Sequence, residues 1–214
     1  IAPSLVGSEM CIRDSLIDIY LSLGVYKYSS GFKVTSKNIE IAFPDRNKKD
    51  VDLLAKRSFK ESIISGYESI YTWGRNDAKV NSNILRIENN YLINNLKENG
   101  LIAVSFHNRS VDMLLTWMNS QHTTTSLFKK IKNNTLNTFV KQRRESKKSK
   151  CYETNISGVK EIFKSLKNNK IVCFAADQVP KRGFGEYIDF FNVKAYTTTS
   201  VSYTHLRAHE TRSY

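Results

Sequence analysis

The sequence predicts an α/β fold with a largely parallel central sheet flanked by helices. Two short, continuous apolar runs, "LIAVSF" (Leu101 to Phe106) and "IVCFAA" (Ile171 to Ala176), have the length and composition of strands covered on both faces. The stretch "GVKEIFKSLKNN" (Gly158 to Asn169) directly precedes the second run and is amphipathic at helical spacing. Between the two runs, β-prone and helical segments alternate, the pattern of strands joined by helical crossovers.

Taken in order, Leu16 to Phe32 is apolar and aromatic and predicts a helix. "NIEIAFPD" (Asn38 to Asp45) ends in a Pro-Asp turn signal. A long helix then follows, because Leu53, Leu54, Phe59, Ile63, Ile64, Tyr67, Ile70 and Tyr71 recur at three and four. Asp50 is its expected N-cap and Gly74 its expected stop. Tyr91 to Asn99 predicts a helix closed by Gly100, and "LIAVSF" the first core strand. Val111 to Met118 predicts a helix, "TTTSLF" (Thr123 to Phe128) a strand, and Leu136 to Arg144 another helix. Lys141 to Lys150 is a basic stretch close to low complexity, and no internal repeat is present.

Composition bounds the function. The 214 residues are enough for one ordinary domain, and 40% hydrophobic with 25% charged residues fits a globular class. No apolar run approaches the roughly 18 residues of a membrane span. The net charge of +13 predicts an anionic partner: nucleic acid, phospholipid headgroups or a phosphorylated substrate. Cys11, Cys151 and Cys173 are too widely spaced for a metal motif or a disulfide framework, and point to a reducing compartment. The ends read as foreign. "PSLVGSEMCIRDS" (Pro3 to Ser15) and "VSYTHLRAHETRSY" (Val201 to Tyr214) resemble translated library-adapter sequence and are set aside from fold reasoning. The expected organisation is therefore residues 1–15 as an extension, 16–200 as a partial domain lacking its C-terminal part, and 201–214 as a second extension. The net charge of the inner segment is unchanged, because Glu9, Arg13 and Asp14 offset Arg207, Glu210 and Arg212.

In open α/β sheets, sites form beyond the carboxyl ends of strands. His107 follows one apolar run there, and Asp177 and Gln178 follow the other. His107 and Asp112 are five residues apart, about 500° of helical rotation, so they meet only if His107 lies in the loop before the helix. Asn108 or Ser110 would then cap that helix. A carboxylate holding one imidazole nitrogen leaves the other as a general base, and a helix N-terminus beside it favours an anion. This arrangement suits deprotonating a hydroxyl that attacks an acyl group. The competing reading is a capping histidine beside a solvated aspartate.

"HNRSVD" (His107 to Asp112) resembles the His-x4-Asp/Glu motif of the lysophospholipid-type acyltransferase superfamily. Four further blocks, in order, resemble the lipid A biosynthesis lauroyl/myristoyl acyltransferases. They are "KNIEIAFPD" (Lys37 to Asp45), "FKKIKNN…KQRRE" (Phe128 to Glu145), the Gly158 to Gln178 block and "FFNVKAYTTTS" (Phe190 to Ser200). The resemblance implies a glycerolipid acyltransferase-like fold. It also implies fatty acyl transfer from acyl carrier protein, with no cofactor, to a hydroxyl of a phosphorylated glycolipid, the lipid A precursor. The implied place is the cytoplasmic face of the bacterial inner membrane, with contact to the membrane surface through a peripheral mode or an N-terminal anchor outside this fragment. His107 would be the base and Asp112 its orienter.

Arg144 best matches the family arginine, with Arg143 one step away, and a guanidinium binds phosphate or steadies an oxyanion. Asp177 would position His107 or Arg144. Gln178, Arg143, Asn108 and Arg109 are candidate substrate-binding residues. Departures from the family pattern are Asp rather than Glu at Asp112, "FKK" at Phe128 to Lys130, and Thr135 in place of a proline. They bear on the acceptor more than on the reaction. Lys147, Lys148, Lys181 and Arg182 are expected docking residues for the acidic carrier protein. No nucleic-acid module is recognisable, and no metal is expected with only His107 and His122 in the inner segment. The alternatives are an acyltransferase acting on glycerol phosphate or another glycolipid, and a non-catalytic basic membrane-binding domain.

Overall fold

The computed structural model describes residues 5–94, 100–107, 109–180, 182–183 and 185–199. The chain divides into two compact units, one of residues 1–67 with 190–193 and the other of residues 68–189 with 194–214.

The first unit is helical. Helix α1 spans Leu5–Ser22, a single 3-10 turn spans Val25–Tyr28, and α2 spans Ser30–Ala42. The single helix predicted over Leu16 to Phe32 is therefore broken. Gly24 takes a left-handed φ of 71°, a conformation cheap only for glycine, and interrupts the helix there. The break lets Tyr26 fold into a core with Ile17, Leu21 and Ile64, against which Phe32, Phe59 and Ile63 pack. Tyr26 meets Phe32 edge-on at 4.7 Å between ring centroids. Helix α2 ends at the Pro-Asp turn, as its sequence predicts. Helix α3 spans Lys48–Gly74. Its cap is Asn47 rather than Asp50: Asn47 Oδ1 accepts from the Asp50 N–H at 3.0 Å, while the Asn47 amide donates back to the Asp50 carboxylate at 2.9 Å. Asn47 wins because its side chain reaches the first unpaired helical N–H groups, which Asp50 already lies beyond.

The second unit holds the sheet. After α4 (Asp77–Asn81) and α5 (Tyr91–Asn94) come β1 (Leu101–Ser105), α6 (Val111–Gln121), β2 (Thr124–Phe128) and α7 (Asn134–Arg144). Next are β3 (Lys150–Glu153), α8 (Ile156–Lys167) and β4 (Ile171–Ala175). The helix predicted over Tyr91 to Asn99 is described only as far as Asn94. The four strands are parallel in the order β1-β4-β2-β3, so the predicted fold class is observed. A separate two-stranded sheet pairs β5 (Gly185–Phe190) with β6 (Val193–Thr198). Phe191 and Asn192, both left-handed at φ 49° and 59°, make its two-residue turn.

Two expectations about the sheet change. "LIAVSF" forms an edge strand and is half-buried, not covered on both faces. The interior position goes instead to β2, from the polar run "TTSLF", whose Thr124, Thr125 and Ser126 are buried. A buried hydroxyl is tolerated only with a partner. Thr124 Oγ1 bonds to Asn119, Thr125 Oγ1 to Ser165 Oγ at 2.8 Å, and Ser126 Oγ to Cys151 Sγ at 2.9 Å. Strand β3 arises from the end of the basic stretch, which carries no local strand signal.

Asparagines start two of the crossover helices. Asn133 accepts from Leu136 N at the head of α7, and Asn155 from Gly158 N at the head of α8, both at 2.9 Å. Each such cap contributes about 1 kcal/mol. Gly158 has no substitute: a Cβ there would lie 2.1 Å from the Glu153 carbonyl oxygen. Helix α8 buries Ile162 and Leu166 against Val172, and α6 buries Trp117 and Met118 against Ile171. Apolar side chains thus cover β4 from both sides, which fixes the level at which its carboxyl end emerges.

Candidate active site

Strands β1 and β4 are neighbours in register, Leu101 opposite Ile171 through Ser105 opposite Ala175. The same separation of 70 residues carries past the strand ends to His107 and Asp177. The ladder continues one step, with Ala176 N donating to Ser105 O at 3.1 Å. The two carboxyl-end loops therefore deliver an imidazole and a carboxylate to the same place. Asp177 takes two bonds from one residue: His107 N–H donates to Oδ2 at 2.6 Å and His107 Nδ1 lies 2.7 Å from Oδ1.

Partial burial pushes the Asp177 carboxyl up, but the side-chain and backbone hydrogen bonds from His107 and the imidazole's charge outweigh it. The net effect holds Asp177 below its ordinary value. An ionised carboxylate only accepts, so Nδ1 carries the proton, and in the neutral ring Nε2 presents a lone pair. Gln178 Nε2 lies 3.1 Å from that lone pair and donates to it. The His107 side chain is 43% exposed, so a substrate hydroxyl has access.

Asp112 does something else. It is 5% exposed in the first turn of α6, and Arg144 grips it bidentately: Nε donates to Oδ1 at 2.6 Å and Nη2 to Oδ2 at 3.2 Å. Of the two carboxylates the sequence offers to His107, Asp177 holds the imidazole, whereas Asp112, expected as its orienter, holds the guanidinium. The Arg144 guanidinium also lies over the Trp73 ring, 5.7 Å from its centroid. The Asp112 contacts tie the last turn of α7 to the first turn of α6 and occupy the Nε and Nη2 side of the Arg144 fork.

The remaining predicted residues separate. Arg143 donates to the Arg75 carbonyl, and its Nε is buried. Arg109 donates from Nη2 to Glu68 Oε1 at 2.6 Å, an ion pair rather than an open anion ligand. Asn108 and Lys181 lie outside the described residues. Lys147, Lys148 and Arg182 are exposed. Trp117 is a core residue, and His122 closes α6 as its C-cap. Cys151 and Cys173 are buried or half-buried thiols pushed up by burial, Cys173 to about 12. An open concavity of about 450 Å3 runs along α7, lined by Asn134, Thr135, Thr138, Phe139 and Gln142. It contains neither His107 nor Asp177 and is not where the reactive pair sits.

Sequence reasoning missed Glu68. It is buried, and its carboxylate accepts from both Arg109 and Ser110. A signal was present: Ile64, Glu68 and Thr72 recur at four along α3 and all are buried, so a carboxylate stands at a core position and requires a partner.

An imidazole with its Nδ1 proton held by a carboxylate, exposed ahead of a helix whose N-cap Ser110 makes no side-chain cap bond, can take a proton from a hydroxyl and steady the charge that follows. No curated protein matches the chain. The sequence model of the family described as bacterial lipid A biosynthesis acyltransferase matches residues 16–211. The match spans most of the chain, which belongs to the bacterial lipid A biosynthesis acyltransferase family and is an acyltransferase.

Proposed function

We propose that the chain transfers a fatty acyl group from acyl carrier protein to a hydroxyl of a phosphorylated glucosamine lipid, at the cytoplasmic face of the inner membrane. The observation that carries this reading is the His107–Asp177 pair with its accessible Nε2. The acceptor hydroxyl displaces the Gln178 amide and donates to Nε2. As the imidazole takes the proton, the oxygen attacks the thioester carbonyl. The C–O bond forms, the tetrahedral oxyanion draws on the first-turn N–H groups of α6, and the C–S bond breaks. The departing thiolate takes the proton back from Nε2, leaving an ester and a free thiol. Asp177 stays ionised throughout and stabilises the imidazolium between the two proton transfers.

Asp112 and Arg144 brace the frame. They set the start of α6 relative to α7 and so keep the oxyanion donors in place. Charge and surface support the location. The net charge of +13 suits phosphorylated lipids and an acidic carrier, with Lys147, Lys148 and Arg182 as docking groups. The first unit exposes Leu16, Ile19, Leu23, Val25 and Tyr28, an apolar surface of the kind that meets a membrane interface. Among the described residues no helix is long and apolar enough to cross a membrane.

The test is acyl transfer from acyl carrier protein to a phosphorylated glucosamine lipid, for the wild type and His107→Ala. Transfer that depends on His107 supports the reading, and equal rates in the two proteins would overturn the role of the base. His107-dependent transfer to glycerol phosphate alone would replace the acceptor and keep the chemistry.

A further inference from the structure

We infer that Glu68 is a positioning residue for the base: it holds Arg109 and Ser110, at the entry to α6, in a backbone shape that aims His107 at Asp177. The inference rests on the reading of His107 as the base. Arg109 and Ser110 are consecutive non-glycine residues with positive φ, 31° and 49°. Side chains disfavour that region because Cβ crowds the backbone, so the shape persists only where surrounding contacts impose it. Glu68 supplies those contacts, one oxygen to each strained residue. Arg109 Nη2 donates to Oε1 at 2.6 Å and Ser110 Oγ to Oε2 at 2.5 Å.

A second observation shows that the clamp prevails over the local preference. Ser110 occupies the N-cap position of α6, where a serine hydroxyl ordinarily accepts from a helical N–H. Here it makes no such bond and donates to Glu68 instead. The serine gives up its cap bond to make this contact. His107 stands two residues before the clamped pair and Asp112 two residues after it. One carboxylate on α3 therefore holds the stretch that separates the base from the buried Asp112. Without it the two residues relax toward negative φ, and the bonds at 2.6 and 2.7 Å from His107 to Asp177 lose their alignment.

The ring nitrogens of His107 report this directly and need no substrate. In the full chain at alkaline pH, 15N spectra assigned with His107→Ala should show the wild-type imidazole as the Nδ1–H tautomer. In Glu68→Ala, and to a smaller degree in Ser110→Ala and Glu68→Gln, the pattern should move toward the mixture of a free histidine. The same variants should lose kcat, roughly 10- to 100-fold for Glu68→Ala, with KM changed less than about threefold, as misalignment rather than lost binding requires. A folded Glu68→Ala with the wild-type His107 pattern would overturn the inference whatever its activity. If Glu68→Ala does not fold, Ser110→Ala, which removes one of the two contacts, is judged by the same pattern. Should the wild type transfer no acyl group, the proposed function fails, while the ring pattern still decides the role of Glu68.

Discussion

Asp177 and Asp112, both in the second unit, each hold a cationic or basic side chain, and they differ in everything that matters for chemistry. Asp177 sits at the open carboxyl end of the sheet, 32% exposed, and holds an imidazole that can gain and lose a proton. Asp112 is 5% exposed at the seam of α6 and α7 and holds a guanidinium that cannot. The same pairing of charges serves a reaction in one place and a frame in the other. Accessibility and the titration range of the partner make the difference, not the strength of the contact.

Breaking the exposed pair should remove activity and leave the fold. His107→Ala should lower kcat by about 10²- to 10⁴-fold, the usual contribution of a general base, in the acyl-transfer assay. Asp177→Asn should come close behind, because an amide no longer forces the proton onto Nδ1, and its thermal midpoint should stay near that of the wild type. Asp112→Asn should cost kcat less than Asp177→Asn does, in the same assay. The reverse order would restore Asp112 as the orienter.

Breaking the buried pair should unsettle the fold. Arg144→Ala strands the Asp112 carboxylate in a buried site, and stranding a buried charge costs about 3–5 kcal/mol, readable by chemical denaturation. Asp112→Asn leaves a half-buried guanidinium that reaches water and should destabilise less.

A smaller effect sharpens the contrast through pH. The folded Asp177 carboxyl lies below its ordinary value of 3.8. A depressed carboxylate stabilises the fold fully above the ordinary value and loses that contribution as pH falls through the folded one. The stability difference between wild type and Asp177→Asn should therefore be present at neutral pH and shrink in acid, below 3.8. The smallest expected effect concerns Cys173, whose thiol is pushed up to about 12 by burial. It should resist alkylation at mildly alkaline pH while the exposed Cys11 reacts, as peptide mapping would show.

Much of this was legible in the sequence, and the gaps have physical causes. Alternating apolar runs and amphipathic stretches are local signals, and they located β1, β2, β4, α6, α7 and α8. They also placed His107, Asp177 and Gln178 beyond strand ends. Strand order is not local. Nothing in "LIAVSF" or "IVCFAA" says that the two runs are adjacent, so the sequence left Asp112 as the orienter and Asp177 divided between His107 and Arg144, and only the register of β1 with β4 decides. The interior strand was harder still, because "TTSLF" reads as surface until Asn119, Ser165 and Cys151 supply partners for its hydroxyls. Glu68 was legible only as an anomaly, a carboxylate on the buried line of a helix.

The central claim is that His107 and Asp177 act as one unit. A double-mutant cycle on acyl transfer tests it most directly, comparing wild type, His107→Ala, Asp177→Asn and the double variant. Once the imidazole is gone Asp177 has nothing to orient, so the double variant should be no slower than His107→Ala alone. If the two losses multiply instead, Asp177 acts independently of the base and the account of the site is wrong.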